Sequence, residues 1–449
     1  MNHSYIYYQA TKSLCDICMK SVDAKIIIED NLVYVLKNCP SHGEMKHLLE
    51  EDANYHLKKV LYDKPSTIHE NEADVKNGCP FDCGLCGNHS QHTCIGLIEI
   101  TGKCDMACPM CYASSGDNGS NLALPTIERM LDFFIRSEGG KAEILQISGG
   151  EPTLHPQVLD ILHLCKKKNI GHVMLNTNGV RIAKDEEFVR QLSELTGGFE
   201  IYLQFDSLDD KVYENARLRK MLAIKKQAIA NLNKYNIPTT LVCTVIRGEN
   251  DLELSALINY GLATSCVRGV NFQPAARFGG YEATTEDSYT VSGIMNLIEK
   301  TSNQLLKSND FVPLPCNVER VAVTYLYKKG NGFVPITRSK NIEKYVPYIS
   351  NTFLFTIEDA LAEGEEPRFG FCKCLDFLND FNKIVPKNFI TWSKDARVKY
   401  LNENTFRITV SSFVDKYNFD LKSMQKECVH VITEDLKRIP FSAYNMYYR

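Results

Sequence analysis

Through the middle of the chain the apolar pattern switches repeatedly between two periods. Short continuous apolar runs alternate with longer stretches whose apolar residues recur at helical spacing. Leu124–Glu138 reads as a helix with Pro125 in its first turn, and Glu143–Ile147 as a buried strand. Helix Pro156–Lys168, strand His172–Asn176, helix Asp185–Leu195 and strand Glu200–Phe205 come next. A long helix over about Asp210–Tyr235 leads to strand Thr239–Ile246, helix Leu252–Leu262 and a last strand, Gly269–Gln273. This rhythm predicts an α/β fold with a parallel sheet, either barrel or open. Near the N-terminus, AKIIIEDNLVYVLKN predicts a hairpin around an Asp-Asn-Leu turn.

In a parallel sheet of this kind the site forms beyond the C-terminal strand ends. Those ends are polar here. Ser148-Gly149-Gly150-Glu151-Pro152 follows one strand; its glycines allow close backbone approach, and Glu151 offers a carboxylate to an ammonium group. Asn176 and Thr177 end the next strand with ribose-type hydrogen-bonding groups, and Gln204 and Asp206 end the one after. Arg247-Gly248-Glu249-Asn250 and Asn271-Phe272-Gln273-Pro274 continue the series. Any one of these could be an ordinary turn; the series is harder to dismiss.

Composition turns this scaffold toward metal chemistry. Seventeen cysteines occur in 449 residues, ten of them before residue 112, in spacings that suit metal ligands better than disulfides. Cys104, Cys108 and Cys111 form C-x3-C-x2-C directly after the apolar strand Gly96–Ile100. Three such thiolates hold three irons of a [4Fe–4S] cluster and leave the fourth open to a small molecule. Cys79, Cys83 and Cys86 repeat the spacing; Cys94 is the natural fourth ligand, with His89 and His92 between, and zinc is the competing occupant. Cys15, Cys18, Cys39 and His42 form two tight pairs that match a structural zinc or rubredoxin-like iron site. Cys316, Cys372, Cys374 and Cys428 are read as ligands of a further auxiliary cluster. Cys165, Cys243 and Cys266 sit in periodic segments and read as small buried hydrophobes. Motif placement divides the chain into a metal knuckle (1–50), an auxiliary iron–sulfur segment (51–95), a barrel (96–300) and a C-terminal auxiliary-cluster and substrate domain (301–449).

The net charge of −4 gives no electrostatic reason to expect nucleic acid. With no signal peptide and no apolar run of about 18 residues, the expected setting is a reducing cytoplasm, with peripheral membrane contact left open.

With C-x3-C-x2-C after the first strand, the GGEP run and the βα order over about residues 95–280, the chain resembles the radical S-adenosylmethionine (SAM) superfamily. The resemblance implies a partial (β/α)6 barrel beside the N-terminal Cys/His knuckle and a cysteine-containing α+β C-terminal region. It implies that Cys104, Cys108 and Cys111 hold the cluster, with Ser148, Gly149, Gly150, Glu151, Asn176, Thr177, Gln204 and Asp206 contacting SAM. Met110 stands where the superfamily commonly has an aromatic residue, and Tyr112 follows the last cysteine instead. The flanking CPFDCGLC-x2-H-x2-HTC, CDIC/CPSHG, VNFQP and RIPFSAYN runs resemble a group that includes the archaeal tetraether lipid synthases; Ser442 stands where relatives can have cysteine.

The resemblance thus implies a radical SAM enzyme with one or two auxiliary clusters, one zinc or mononuclear iron, and a flavodoxin- or ferredoxin-type electron donor. The leading expectation is a 5′-deoxyadenosyl radical abstracting hydrogen from an sp3 carbon of a lipid chain for C–C bond formation. The Phe-rich stretch around Phe377 and Phe381, near Trp392, reads as core or as a channel for a lipid tail. The alternative substrate is a pterin or other small molecule, methylated or otherwise modified. The non-enzyme alternative is a multi-cluster electron carrier, against which the polar strand ends argue.

Overall fold

The computed structural model describes residues 5–66, 68, 70–113, 115–116, 119–195, 197–278, 281, 288–339, 346, 351–353, 385–386 and 388–449. Four antiparallel strands form an N-terminal ribbon, β1 (Ile6–Leu14), β2 (Ser21–Glu29), β3 (Leu32–Cys39) and β4 (Gly43–Glu50), paired in sequence order. The expected hairpin is β2–β3. Its turn runs through Asp30 and Asn31 at φ 51° and 64°, the left-handed geometry that asparagine and aspartate tolerate and that matches strand twist.

The larger sheet is built on six parallel strands, β5 (Ile95–Thr101), β6 (Ala142–Gly149), β7 (Ile170–Thr177), β8 (Phe199–Gln204), β9 (Thr239–Val245) and β10 (Val267–Pro274), side by side in sequence order. They alternate with helices, as a partial (β/α)6 barrel requires. Later strands of the chain extend or flank this unit: β11 (Val312–Pro313), β12 (Val321–Lys329), β13 (Gly332–Pro335), β14 (Thr405–Ser411) and the pair β15 (Val429–Ile432) and β16 (Arg438–Pro440). β14 runs parallel to β10, β12 antiparallel to β14, and β15 parallel to β5. The order is β11-β12-β14-β10-β9-β8-β7-β6-β5-β15-β16, with β13 on β12. The strand Gly269–Gln273 is therefore not the sheet's last neighbour. The chain returns after a long excursion, and a local hydrophobic pattern carries no trace of that pairing.

Period-two alternation sorts the strand residues onto two faces. Leu145, Ile147, Val173, Leu175, Ile201, Leu203, Val270 and Phe272 pack outward against the helices in one core. Helix Leu124–Ser137 contributes Ile127, Met130, Leu131 and Phe134 to it, and each fully buried side chain of this size contributes roughly 1.5–3 kcal/mol. The other face points into the barrel. Near the strand starts it is apolar (Ile95, Ile144, Met174 and Val321) and further along it becomes polar.

One predicted element divides. The helix expected over Asp210–Tyr235 is two, Asp210–Arg217 and Leu222–Lys234, broken where Leu218 adopts φ 58°. Neither glycine nor proline marks the break, so the helical periodicity conceals it.

The ribbon docks on the C-terminal region. Ser13 Oγ donates to Phe419 O at 2.6 Å, and buried Lys37 donates to Leu14 O, Asp16 and Lys416 O. Among the described residues no helix is long and apolar enough to cross a membrane.

Candidate active site

All six parallel strands end on one side, so the polar runs flagged in the sequence meet on a single rim. The loop after β5 carries Cys104, Cys108 and Cys111. It is fastened by Cys104 N–H to Gly116 O (3.2 Å) and Cys111 N–H to Cys108 O (3.1 Å). The GGEP turn lies directly against it: Gly150 N–H donates to Thr101 O (2.8 Å) and Glu151 N–H to Lys103 O (2.7 Å). A Cβ on Gly149 would sit 2.2 Å from Thr101 O and one on Gly150 2.3 Å from Lys103 O, so both positions need glycine.

Glu151 is buried and saturated. Its carboxylate accepts from Thr153 N–H (3.1 Å), Thr153 Oγ1 (2.5 Å), Thr177 Oγ1 (2.7 Å) and Asn178 N–H (2.7 Å). Burial raises its carboxyl above the usual range, against the pull of these bonds. In this geometry the Glu151 side chain ties the ends of β6 and β7 together, and the turn faces the loop with its backbone. Asn178 extends the same network by donating to Asp105 Oδ1 at 2.7 Å, between two of the loop cysteines.

Two cations that sequence reasoning missed complete the rim. Arg217 donates to Asp206 at 2.9 Å; burial works against its charge, while Asp206 and the Cys108 sulfur hold it above its usual value. Lys225, fully buried, donates to Asn178 O, Gln204 O and Gln204 Oε1, each at 2.6 Å. Burial pulls its ammonium down to about 7, with Asp206 opposing and Arg217 reinforcing. Asp206 also accepts from Gln204 and from Thr244 N–H (3.0 Å). Asn176 and Ser148 turn to the barrel interior, where Asn176 Nδ2 donates to Ser148 Oγ at 3.3 Å and Gln146 donates to Asn176. No motif or spacing in the sequence marks Arg217 or Lys225, which lie in the two helices that the concealed break separates.

Burial pushes the Cys104 thiol up. The Met106 N–H opposes this, and negative charge on Glu151, Asp105 and Cys108 adds to it, to about 12. Thiolates crowded among carboxylates need a strong counter-charge, which a metal cluster supplies; the donor set fits a [4Fe–4S] group. A cleft of about 920 Å³ opens against the Gly149–Gly150 turn, bounded also by Thr101, Cys83, Tyr444 and Arg449. Tyr112 packs edge-on against Phe278 and Phe441.

The remaining cysteines fall into three places. Cys15, Cys18, Cys39 and His42 converge: Cys18 and Cys39 are 3.9 Å apart, and His42 Nδ1 lies 3.3 Å from Cys15 and 3.5 Å from Cys39. A tetrahedron of 2.3 Å metal–sulfur bonds has edges of about 3.8 Å, so this set is sized for one ion. Burial raises the Cys15 thiol, but bonds from the Cys18 and Ile17 backbone and from the thiols of Cys18 and Cys39 outweigh it and bring it to about 6. Cys79, Cys83 and Cys86 gather around a small hollow lined also by Asp82, His89 and Pro440. Cys94, expected as their fourth ligand, is elsewhere. It precedes β5, its N–H donates to Cys428 O at 3.0 Å, and its sulfur groups with those of Cys316 and Cys428. The pairing of β15 with β5 holds it at the strand starts. Cys372 and Cys374, with Phe377 and Phe381, lie outside the described residues. Ser442 is buried and donates to Glu427 at 2.8 Å, while Trp392 packs on Phe389 and Tyr400. Cys165, Cys243 and Cys266 are fully buried in the main core.

Comparison with known proteins shows what the chain is similar to. The radical SAM superfamily model matches residues 98–261, and the HMPTM N-terminal zinc ribbon domain matches residues 7–51. The 7,8-dihydro-6-hydroxymethylpterin dimethyltransferase of Methanocaldococcus jannaschii is 31% identical over 98% of this chain and 94% of its own length. The GTP 3′,8-cyclase of Vibrio parahaemolyticus is 29% identical over 36% of this chain and 49% of its own. Among solved structures, Streptococcus suis SuiB bound to S-adenosylmethionine superposes with a TM-score of 0.40 at 16% identity, covering 49% of each chain. The cofactors that accompany such a chain are a [4Fe–4S] cluster and SAM, and the further cysteine sets fit auxiliary cluster or zinc. Similarity that runs almost end to end places the chain plainly: it belongs to the radical SAM superfamily, in the family of the Methanocaldococcus pterin enzyme.

Proposed function

We propose that this enzyme methylates or otherwise modifies a pterin or a closely related small heterocycle by radical SAM chemistry. The observation that carries the reading is the full-length relationship to a pterin dimethyltransferase. The barrel interior supports it. Above the apolar floor the wall is a hydrogen-bonded polar surface: Gln146 with Asn176, Asn271 with Tyr202, and Ser411 with Asn271 at 2.9 Å. Lower down, level with Ile144 and Met174, Glu200 is paired with His172 at 3.2 Å and lies near Arg407. Burial alone would raise Glu200; Arg407 and His172 bring its carboxyl down to about 2. Such a wall offers donors and acceptors to a fused heterocycle and little apolar surface to an acyl chain. The lipid-coupling reading thus becomes the second choice, resting on the flanking-motif resemblance alone.

In the proposed site Cys104, Cys108 and Cys111 hold the cluster, and the Gly149–Gly150 backbone, Ser148 and Asn176 receive SAM. When bound, cluster and SAM together supply a one-electron reductive cleavage that yields a 5′-deoxyadenosyl radical. This chain's residues do the positioning. Glu151 and Asn178 hold the cysteine loop against the strand ends, Arg217 sets charge beside Cys108, and the interior wall orients the substrate.

The test is anaerobic incubation of reconstituted protein with reductant, SAM and 6-hydroxymethyl-7,8-dihydropterin, read by mass spectrometry. Pterin-dependent 5′-deoxyadenosine together with a product heavier by one or two methyl groups is expected; isotope label in the SAM methyl identifies the donor. Turnover with a lipid and none with any pterin would reject the assignment.

A further inference from the structure

We infer that Arg449 is a positioning residue for the cysteine loop on the rim, which it brackets from both ends, through Glu99 ahead of Cys104 and Tyr112 behind Cys111. Glu99 stands on β5 in register with Ser148, the residue before the Gly149–Gly150 turn. Arg449 donates to its carboxylate, and Tyr444 Oη donates to the same carboxylate at 3.5 Å. The Arg449 guanidinium also lies over the ring of Tyr112, 5.7 Å from its centre and within cation–π reach. Tyr112 directly follows Cys111. One side chain thus touches the strand that enters the loop and the residue that leaves it.

The turn that carries Arg449 holds it there. Phe441–Ala443 begins a helix that widens over Tyr444–Tyr448, where Arg449 N–H donates to Tyr444 O, five residues back, at 2.9 Å. Wide turns of this kind are rare and concentrate at functional sites. This one stacks the guanidinium over Tyr444, 5.0 Å from the ring centre, and Arg449 Nε donates to Asn445 Oδ1 at 2.8 Å. Asn445 is itself tied to Phe441 O at 2.9 Å. The rest of the turn is anchored on the first cysteine loop and on the ribbon. Tyr448 Oη accepts from Cys83 N–H (2.9 Å) and donates to Pro80 O (3.1 Å), and Tyr447 Oη donates to Met19 O (3.2 Å). A side chain fixed at Asn445, Tyr444 and Glu99 has little rotamer freedom left to lose when a cofactor arrives.

The placement also has an electrostatic consequence. Arg449 and Glu99 line the same cleft as Gly149 and Gly150. Their side chains are only 22% and 18% exposed, so solvent screens the pair weakly. Arg217 stands beside Cys108, and Arg449 brings a second cation to the exit of the same loop. Cations near the thiolates favour the reduced, more negative state of a cluster held there. The inference rests on the radical SAM chemistry of the family and holds whichever substrate the chamber takes.

The experiment uses the full-length, anaerobically reconstituted protein as wild type, Arg449→Ala, Arg449→Lys and Tyr447→Phe. Iron content, the SAM-induced change in the electron paramagnetic resonance signal of the reduced protein, and 5′-deoxyadenosine formed with dithionite and no substrate are measured for each. Arg449→Ala is expected to keep its iron, to need several-fold more SAM for the spectral change, and to cleave SAM roughly tenfold more slowly. Arg449→Lys, which keeps a cation opposite Glu99, should recover part of that rate, and Tyr447→Phe, altered on the far side of the same turn, should match wild type. A wild-type SAM titration and cleavage rate in Arg449→Ala overturns the inference. Loss of iron or of fold in Arg449→Ala makes the residue a structural prop and overturns it as well. So does an Arg449→Lys rate no better than that of Arg449→Ala, or an equal fall in Tyr447→Phe, which would assign the effect to the turn as a whole.

Discussion

The two C-x3-C-x2-C loops have the same spacing and different surroundings. The loop at Cys79, Cys83 and Cys86 is held by its own backbone and by the C-terminal segment. Asp82 accepts from the N–H groups of Lys76, Asn77 and Gly78, Cys83 N–H donates to Tyr448 Oη at 2.9 Å, and Leu85 N–H to Arg438 O at 3.0 Å. Burial raises the Cys79 thiol well above its usual value, and the charges that act on it most, Cys83, Cys86, Glu427 and Asp82, all push the same way. The loop at Cys104, Cys108 and Cys111 instead follows β5 on the rim, with a glycine turn against it, Asn178 bonded to Asp105 and Arg217 beside Cys108. The same spacing suits a metal group in both loops; what differs is the neighbouring backbone and cations, which only the second loop presents at the strand ends.

The largest effect should come from exchanging cysteine for alanine in each loop. Cys104→Ala is expected to drop reductive SAM cleavage to background and to remove about four irons per chain. Cys79→Ala should remove a similar amount of iron yet keep cleavage with a strong chemical reductant, measured as 5′-deoxyadenosine without substrate. If Cys79→Ala proves equally silent, the loops are not functionally distinct and the contrast collapses.

Lys225→Met probes what distinguishes the second loop. It deletes a buried ammonium and leaves Asn178 O and both Gln204 oxygens without their donor. Unsatisfied buried acceptors make the expected loss of stability about 2–4 kcal/mol, together with weaker SAM binding because the β7 and β8 ends loosen. Guanidinium unfolding and equilibrium dialysis read the two effects. Stability and SAM affinity both within error of wild type would show that the cation merely fills space.

Much of this contrast is legible in the chain itself. The strand-and-helix rhythm announces six parallel strands, and the polar strand ends announce a rim, because both depend on local pattern and a fixed period. Cys15, Cys18, Cys39 and His42 are legible for the same reason, since each ligand pair lies on one tight turn. What stays hidden is long-range. Cys94 sits eight residues after Cys86, yet strand pairing carries it to Cys428, more than 300 residues away. Arg217 and Lys225 lie within an apparently continuous helical pattern that is in fact two helices separated at the left-handed Leu218. The Glu151 carboxylate, read as a partner for an ammonium group, is spent on four internal hydrogen bonds that no motif discloses.

The finest test of the contrast concerns Asp82. Three backbone N–H groups converge on this one carboxylate, so the first loop carries a local cap of its own where the second is braced by the barrel. Burial is the largest single influence and opposes its charge, but those bonds together outweigh it and hold the carboxyl below its usual value. Because the folded value is depressed, the cap is complete above the unfolded value of about 3.9 and is lost only as pH falls through the lower, folded one. Asp82→Ala removes it at every pH. The expected result is modest: iron at the first loop dissociates a few-fold faster under a chelator, while Asp82→Asn, which keeps one acceptor oxygen, loses less. SAM cleavage should be unchanged in both variants, since no strand end moves. A fall in cleavage matching the fall in iron would mean that the two loops are mechanically coupled through the cleft shared by Cys83 and Gly149.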